Sequence, residues 1–229
     1  MHLDNKIVVI TGGSQGFGKA LARFFIEEGS KVVISSNDKE GLKTTANELF
    51  ADCFFADVTS KEDVTKLGEY VFRKYGVIDI WINNAGIQVA PGPMEKIDSH
   101  ELHRLFSINF FGYFYGCQVA LSYMKQQGHG LIINVNSTAG LEGKAEISAY
   151  SSSKFAIRGL TESIRKEIKD SNIKMYGVFP GGMQTEIYKD KHPADLNEYM
   201  EVEPVAKKVV ENVKAARPKI DLIIRRPIS

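Results

Sequence analysis

A short β-branched run, Lys6-Ile7-Val8-Val9-Ile10-Thr11, leads straight into a glycine-rich turn, Gly12-Gly13-Ser14-Gln15-Gly16-Phe17-Gly18. A helical stripe at Phe17, Leu21, Phe24 and Phe25 follows and stops at Gly29. An unbroken apolar run bounded by turn residues is the pattern of a strand buried on both faces. Such a strand needs helices above and below it, which restricts the chain to few architectures. The alternation then repeats. Strands are expected at Lys31–Ser35, Asp52–Phe55, Ile78–Ile82, Gly130–Val135, Lys174–Phe179 and Ile220–Ile224. Between them lie helical patterns at Asn37–Ala51, through Val64, Leu67, Val71 and Tyr75 to a stop at Gly76, and at Ser99–Gln127, Tyr150–Lys169 and Pro204–Ala216. The long pattern from Ser99 is interrupted at most around Asn109 to Gly112. No composition break or repeat divides the chain. The expectation is one α/β domain over residues 1–229, a doubly wound parallel sheet with helices on both faces.

Charge balance removes some function classes. Formal net charge is +1, so nothing points to nucleic acid or to an anionic membrane surface. The run from Leu105 to Met124 lacks charge and is long enough to span a bilayer, but Ser107, Asn109, Gln118, Ser122 and two glycines are costly in lipid. A buried helix is expected there. Cys53 and Cys117 form neither a disulfide framework nor a metal spacing, and no apolar signal region opens the chain. Both cysteines read as reduced thiols in a cytoplasmic protein.

The first turn suits an anion. Glycine lets backbone approach a pyrophosphate closely, and a helix N-terminus presents unpaired N–H groups. The spacing at Gly12, Gly16 and Gly18 also suits a merely tight strand-to-helix turn. At the end of the second strand, where an adenosine ribose is usually read, stand Ser36 and Asn37. A carboxylate at Ser36 would repel a 2′-phosphate. Its absence favours NADP over NAD, although no arginine replaces it and Asp38 is close. Lys39 is a candidate counter-charge, and Asn37 with Glu40 has the spacing of a helix capping box. Asp57 and Val58 sit where an adenine would rest, or in a plain turn. Asn83-Asn84-Ala85-Gly86 ends the fourth strand at the same edge.

Tyr150 and Lys154 are four apart, on one face of a helix. A free phenol, with a pKa of about 10, is a poor proton-transfer group at neutral pH. An adjacent ammonium favours the phenolate and lowers that value. Alone, the pair also suits an exposed surface helix.

Together these pieces resemble the short-chain dehydrogenase/reductase family. The phosphate turn is met by Thr11, Gly12, Gly16 and Gly18, the Asn-Asn-Ala-Gly motif by Asn83 to Gly86, the helix asparagine by Asn109, and the serine after the fifth strand by Ser137. Tyr150 and Lys154 meet the Tyr-x-x-x-Lys motif, and Pro180, Gly181 and Thr185 the Pro-Gly-x-x-x-Thr motif. The resemblance implies a Rossmann-type fold and an oxidoreductase that moves a hydride between NADP(H), or NAD(H), and a small carbonyl or secondary alcohol. It implies that Tyr150 exchanges a proton with the substrate oxygen, that Lys154 lowers its pKa and binds ribose, that Ser137 positions the carbonyl and that Asn109 holds a water. The cofactor residues implied are Gly12, Ser14, Gln15, Gly16, Phe17, Gly18, Ser36, Asn37, Asp57, Val58, Asn84, Ala85, Gly86, Pro180, Gly181, Met183 and Thr185, with Tyr150 and Lys154. Gln15 stands where NADP-preferring members often carry a basic residue, and little chain follows Ile224 for a C-terminal tail. A nucleotide-sugar epimerase would need a longer region after Thr185. A cofactor-binding regulatory protein without turnover would predict damage at Ser137, Tyr150 or Lys154, and there is none.

The substrate should meet Gln88–Met94, Ala139–Ile147 and Met183–Met200, a mixed lining of polar and apolar residues. Glu186–Glu203 reads as a surface loop over the nicotinamide, open to proteolysis at Lys189 or Lys191. The aromatic helix at Leu105–Met124 and the Tyr150 helix are the expected contacts of a homodimer or homotetramer.

Overall fold

The structure is a computed structural model that describes residues 1–185, 187 and 196–226. Seven strands form one parallel sheet: β1 (Ile7–Thr11), β2 (Lys31–Ser36), β3 (Asp52–Phe55), β4 (Ile80–Asn83), β5 (Gly130–Val135), β6 (Ile173–Pro180) and β7 (Asp221–Ile224). Their order across the sheet is β3-β2-β1-β4-β5-β6-β7. The helices are α1 (Gly16–Glu27), α2 (Lys39–Leu49), α3 (Lys61–Tyr75), α4 (Ser99–Phe106), α5 (Gly112–Gln127), α6 (Ser148–Glu167) and α7 (Val202–Lys214).

Strand alternation sends successive side chains to opposite faces, and the central strands feed two cores. Val8 and Ile10 of β1 join Ile80 and Ile82 of β4, together with Leu21 and Phe25 of α1, Leu42 of α2 and Val209 of α7. Ile7, Val9 and Trp81 face the other way, onto Leu67 and Val71 of α3, Cys117 and Ala120 of α5 and Ile164 of α6. A strand apolar at every position is thus consumed by helices on both sides, as its sequence requires.

The strand order reverses between β1 and β4. In an open parallel sheet that reversal leaves a crevice at the carboxyl ends of the strands. Register holds it closed below, with Val9 beside Trp81 and Ile10 beside Ile82.

The long helical region from Ser99 is broken where its sequence suggested. A π-helical turn at Ser107–Phe111 separates α4 from α5. Such a turn inserts an extra residue into the helical ladder and re-aims side chains, a frequent device at functional sites. Two local expectations are corrected. The N-cap of α2 is Asp38, whose carboxylate accepts from the Gly41 amide at 3.1 Å, and not Asn37. β4 begins at Ile80, two residues later than read, because Asp79 is spent on its neighbours: its carboxylate accepts from the Ile7 amide and from Lys6 Nζ, each at 2.9 Å. Among the described residues, no helix is long and apolar enough to cross a membrane.

Candidate active site

The phosphate-type turn is shaped by two glycines. Gly12 has φ +66°, and a Cβ there would meet the Ala85 backbone at 2.7 Å. At Gly18 a Cβ would lie 2.1 Å from the Gly12 carbonyl oxygen, so the start of α1 rests directly on the turn. Thr11 locks this turn to the end of β4. Its hydroxyl accepts from the amides of Asn84 (3.0 Å) and Ala85 (3.2 Å). The Asn84 side-chain amide donates back to the carbonyls of Thr11 and Gly12, each at 3.0 Å. Asn84 therefore braces the turn with its amide nitrogen, while the residue lines the cleft beside it.

A single cleft of about 1070 Å³ runs from this turn across the carboxyl ends of the strands. At one end are Gly12, Ser14, Gln15, Gly16, Phe17 and Gly18, with Ser36, Asn37, Asp57 and Val58. Asn84, Ala85 and Gly86 line its middle, and Ser137, Tyr150, Lys154, Pro180, Gly181, Met183 and Thr185 the far side. Every cofactor residue expected from the sequence falls on this one surface. Asn109 does not line it.

The ribose corner differs in detail from the reading of its sequence. Ser14 and Ser36 share a hydrogen bond of 3.0 Å, and the Ser36 hydroxyl also accepts from the Asp38 amide at 3.1 Å. Asn37 donates to Asp57 at 3.0 Å. Burial of Asp57 acts to raise its pKa, but hydrogen bonds from Thr59 and Asn37 outweigh it and hold the carboxyl below the usual range. Lys39, a candidate counter-charge, instead stands 4.8 Å over the Phe55 ring, outside the cleft lining.

At the chemical end, Tyr150 and Lys154 rise from the first two turns of α6, both buried. The Lys154 ammonium nitrogen donates to the Val135 carbonyl at 3.1 Å. It lies 5.6 Å from the centre of the Tyr150 ring and 5.4 Å from that of Tyr113. Desolvation lowers the Lys154 pKa to about 7. Desolvation also raises Tyr150 to about 12, with the Ser137 hydroxyl pulling the other way. The expected acidification of the phenol by its lysine is thus not met: burial dominates, and Lys154 is not among the causes of the shift. Both groups are buried and each is pushed toward its neutral form.

Ser137 begins a 3₁₀ turn, Thr138–Gly140, and its hydroxyl accepts from the Ala139 amide at 3.1 Å. Asn109 sits in the π turn, fully buried. Its Oδ1 accepts from the Ile87 amide, and its Nδ2 donates to the Ile87 carbonyl, both at 2.9 Å. Nδ2 also reaches Ser153 Oγ at 3.3 Å. The side chain is therefore a clamp on the loop after β4, its oxygen accepting one hydrogen bond and its amide nitrogen donating two. A Cβ on Gly86 would lie 3.4 Å from Asn109 Oδ1 and 4.0 Å from Lys154 Nζ, so these three positions adjoin.

Three residues do more in the structure than their sequence positions suggest. Thr11 was seen only as part of a motif. Asn136 donates to the Lys154 carbonyl at 3.0 Å and accepts from the Ser137 amide at 2.9 Å, tying β5 to α6. Tyr113, four residues after Asn109, donates its hydroxyl to the Val135 carbonyl at 2.7 Å. That helical spacing was the available signal for Tyr113, and adjacency to Ser137 the signal for Asn136. Half of the expected cover over the nicotinamide, residues 186 and 188–195 with Lys189 and Lys191, lies outside the described residues; of the rest, Leu196–Glu198 is a 3₁₀ turn, and Val202 and Glu203 already belong to α7 and not to a loop. Of that region Met200 is described, in a parallel bridge with Met183.

A doubly wound sheet with a glycine turn at its reversal, and a serine, tyrosine and lysine across the cleft, defines a class of dinucleotide-dependent oxidoreductases. The chain belongs to the short chain dehydrogenase family, whose model matches residues 6–196. It is 33% identical over 211 residues to an uncharacterized oxidoreductase of Staphylococcus aureus, covering 91% of this chain and 90% of that one. In fold it is similar to a 3-ketoacyl-(acyl-carrier-protein) reductase from Brucella melitensis complexed with NADH, with a TM-score of 0.91, 24% identity and 98% of each chain covered. It is also similar to an alcohol dehydrogenase from Thermococcus sibiricus complexed with 5-hydroxy-NADP, with a TM-score of 0.89, 24% identity, and 99% and 98% covered. The protein is an NAD(P)-dependent oxidoreductase of this family.

Proposed function

We propose that the protein uses NADP(H) to interconvert a small carbonyl compound and its secondary alcohol, with Tyr150 as the general acid and base. The observation that carries this reading is convergence: Ser137, Tyr150 and Lys154 line the same cleft as the Gly12–Gly18 turn. The turn suits a pyrophosphate, because its backbone lines the cleft and runs straight into the N-terminus of α1 at Gly16, while Gly12 and Gly18 let it pack closely on Ala85 and on α1. Bound there, the cofactor supplies or accepts the hydride.

The protein's own part is orientation and proton transfer. Ser137 donates a hydrogen bond to the substrate oxygen and holds it before the Tyr150 hydroxyl. Tyr150 gives its proton to that oxygen in reduction and takes it back in oxidation. Lys154 binds ribose hydroxyls and, when charged, eases loss of the phenol proton. Asn109 holds the Ile87 backbone, and with it one wall of the substrate end. Thr185, beside Gly16, and the backbone after Pro180 and Gly181 receive the carboxamide and select the ring face. Asp57 and Val58 flank the adenine.

NADP is favoured over NAD by the corner of Ser14, Ser36 and Asn37. Hydroxyls and an amide stand there; of the two carboxylates beside them, Asp38 caps α2 and Asp57 accepts from Asn37 and Thr59. Two free thiols, Cys53 and Cys117, suit a reducing cytoplasm. The rings of Phe110, Phe111, Phe114 and Tyr115 form one aromatic cluster, and Phe111 and Phe155 leave 47% and 42% of their surface exposed. That apolar face favours a homodimer or homotetramer built on α5 and α6. A monomeric mass by light scattering at micromolar concentration would reject it.

The test of function is a spectrophotometric screen of aldehydes, ketones and secondary alcohols with NADPH and NADH side by side. NADPH turnover that disappears in Tyr150→Phe is the expected result. Cofactor binding without turnover on any compound would favour a regulatory, non-catalytic protein.

A further inference from the structure

The catalytic reading gives Lys154 a role and leaves Tyr113 without one, although the two meet. Tyr113 is among the largest fully buried side chains of the molecule. Its hydroxyl donates to the Val135 carbonyl oxygen at 2.7 Å, and Lys154 Nζ donates to the same oxygen at 3.1 Å. The Tyr113 ring centre then lies 5.4 Å from that nitrogen, with the Tyr150 ring at 5.6 Å on another side. A cation within about 6 Å of an aromatic ring centre is attracted to the negative face of the ring, most strongly where water is excluded.

We infer that Tyr113 is a positioning residue for Lys154: its ring, packed in the core and tethered by its hydroxyl to Val135, forms the second wall of the ammonium seat. The inference rests on the reading of Lys154 given above.

The surroundings leave few other groups for this task. From α6 itself comes Tyr150, and from α5 comes Tyr113. β5 offers the Val135 carbonyl, the loop after β4 offers Gly86, and the π turn offers the Asn109 amide. Cys117, beside Tyr113 on α5, is a buried thiol held neutral by desolvation. Among the described residues no carboxylate acts on Lys154, whose departure from the ordinary lysine value has burial as its cause. An ammonium in such a place depends on one carbonyl and two ring faces. The hydroxyl is also well spent: left without Val135, a buried phenol would be an unpaired polar group.

The test is titration of Lys154 in the cofactor-free protein by NMR, with lysine labelled at Cε. The Lys154 signal is identified by its loss in Lys154→Gln. Tyr113→Phe keeps the wall and should leave the midpoint close to that of the unaltered protein. Tyr113→Met removes the ring face and should lower the midpoint by about 0.5 to 1.5 pH units. Replacement of Tyr113 by pentafluorophenylalanine keeps the shape while withdrawing charge from the ring face, and should lower it likewise. This second variant decides the matter if the methionine protein does not fold. Titrations that superimpose for the phenylalanine, methionine and fluorinated proteins would overturn the inference. The measurement needs neither cofactor nor turnover, so it fails or succeeds separately from the proposed function. In the active enzyme, the acid limb of the pH profile of kcat/KM should move with the NMR midpoint, which a purely structural role for Tyr113 would not produce.

Discussion

Lys154 Nζ donates to the carbonyl oxygen of Val135 at 3.1 Å, joining the middle of the reactive face of α6 to the last residue of β5. The bond crosses from helix to sheet at the carboxyl edge, beside Ser137. It holds the lysine nitrogen 5.6 Å from the centre of the Tyr150 ring.

The pH dependence of stability follows from that burial. The folded-state pKa of Lys154 is lowered from 10.5 to about 7. Between those values the unfolded chain binds a proton here that the folded chain lacks, so this site makes stability rise with pH through that window. Above 10.5 the contribution is complete, and below about 7 it is lost. Tyr150 runs the other way, because its folded pKa is raised to about 12: stability falls as pH rises from 10 to 12. Melting of the cofactor-free protein at pH 7, 8 and 9 should show the rise, and Lys154→Met should flatten it. An equally steep rise in Lys154→Met would locate the effect elsewhere.

Tyr150→Phe removes the proton donor and little volume. We expect kcat to fall by about 10²- to 10⁴-fold, while the dissociation constant for NADPH, read by fluorescence, changes only a few-fold. Ser137→Ala should cost about 10²- to 10³-fold in kcat by the same logic of a lost donor at the reacting oxygen. Retained turnover in the phenylalanine variant would end the general-acid role.

The two ends of the glycine turn should respond differently to alanine. At Gly18 a Cβ would meet the Gly12 carbonyl oxygen at 2.1 Å and Asn84 Nδ2 at 2.6 Å, so backbone must move and cofactor binding should be lost. At Gly16 the nearest atom is Thr185 Cβ at 3.7 Å, and the cost is that of φ +51° alone, about 1–2 kcal/mol. Chemical denaturation with and without NADPH separates these cases: Gly16→Ala loses stability and keeps ligand stabilisation, whereas Gly18→Ala loses both.

Cofactor choice should turn on Ser36. Its hydroxyl already faces Ser14 at 3.0 Å, so a carboxylate there lies in the corner proposed for the ribose 2′ substituent. Ser36→Asp should raise KM for NADPH at least about tenfold and favour NADH, through like-charge repulsion of the 2′-phosphate and a new acceptor for a 2′-hydroxyl. An unchanged NADPH to NADH ratio would show that the selectivity lies elsewhere.

The residues that carry local pattern were legible without coordinates. Short apolar runs bounded by turn residues marked the seven strands, with the bounds of β3 and β5 as expected. The interruption near Asn109 was visible because Asn and Gly interrupt an apolar helical stripe. The resemblance to a known family brought Gly12 and Ser137 to the same site as Tyr150 and Lys154, whereas the strands, the helix break and the four-residue spacing of Tyr150 and Lys154 are local features. Such features lie within a few residues of each other, and short-range sterics and periodicity are enough to write them.

What the tertiary structure alone decided is how those residues are held and charged. Asn37 reads as a cap but pairs with Asp57, because strand order brings β2 and β3 together. Asn84 turns inward to Thr11 and Gly12, across the junction of β1 and β4. Tyr150 and Lys154 are an exposed pair or a buried one according to what packs above them, and burial pushes the phenol up and the ammonium down. Desolvation and hydrogen-bond partnership depend on distant segments meeting, which local pattern does not encode.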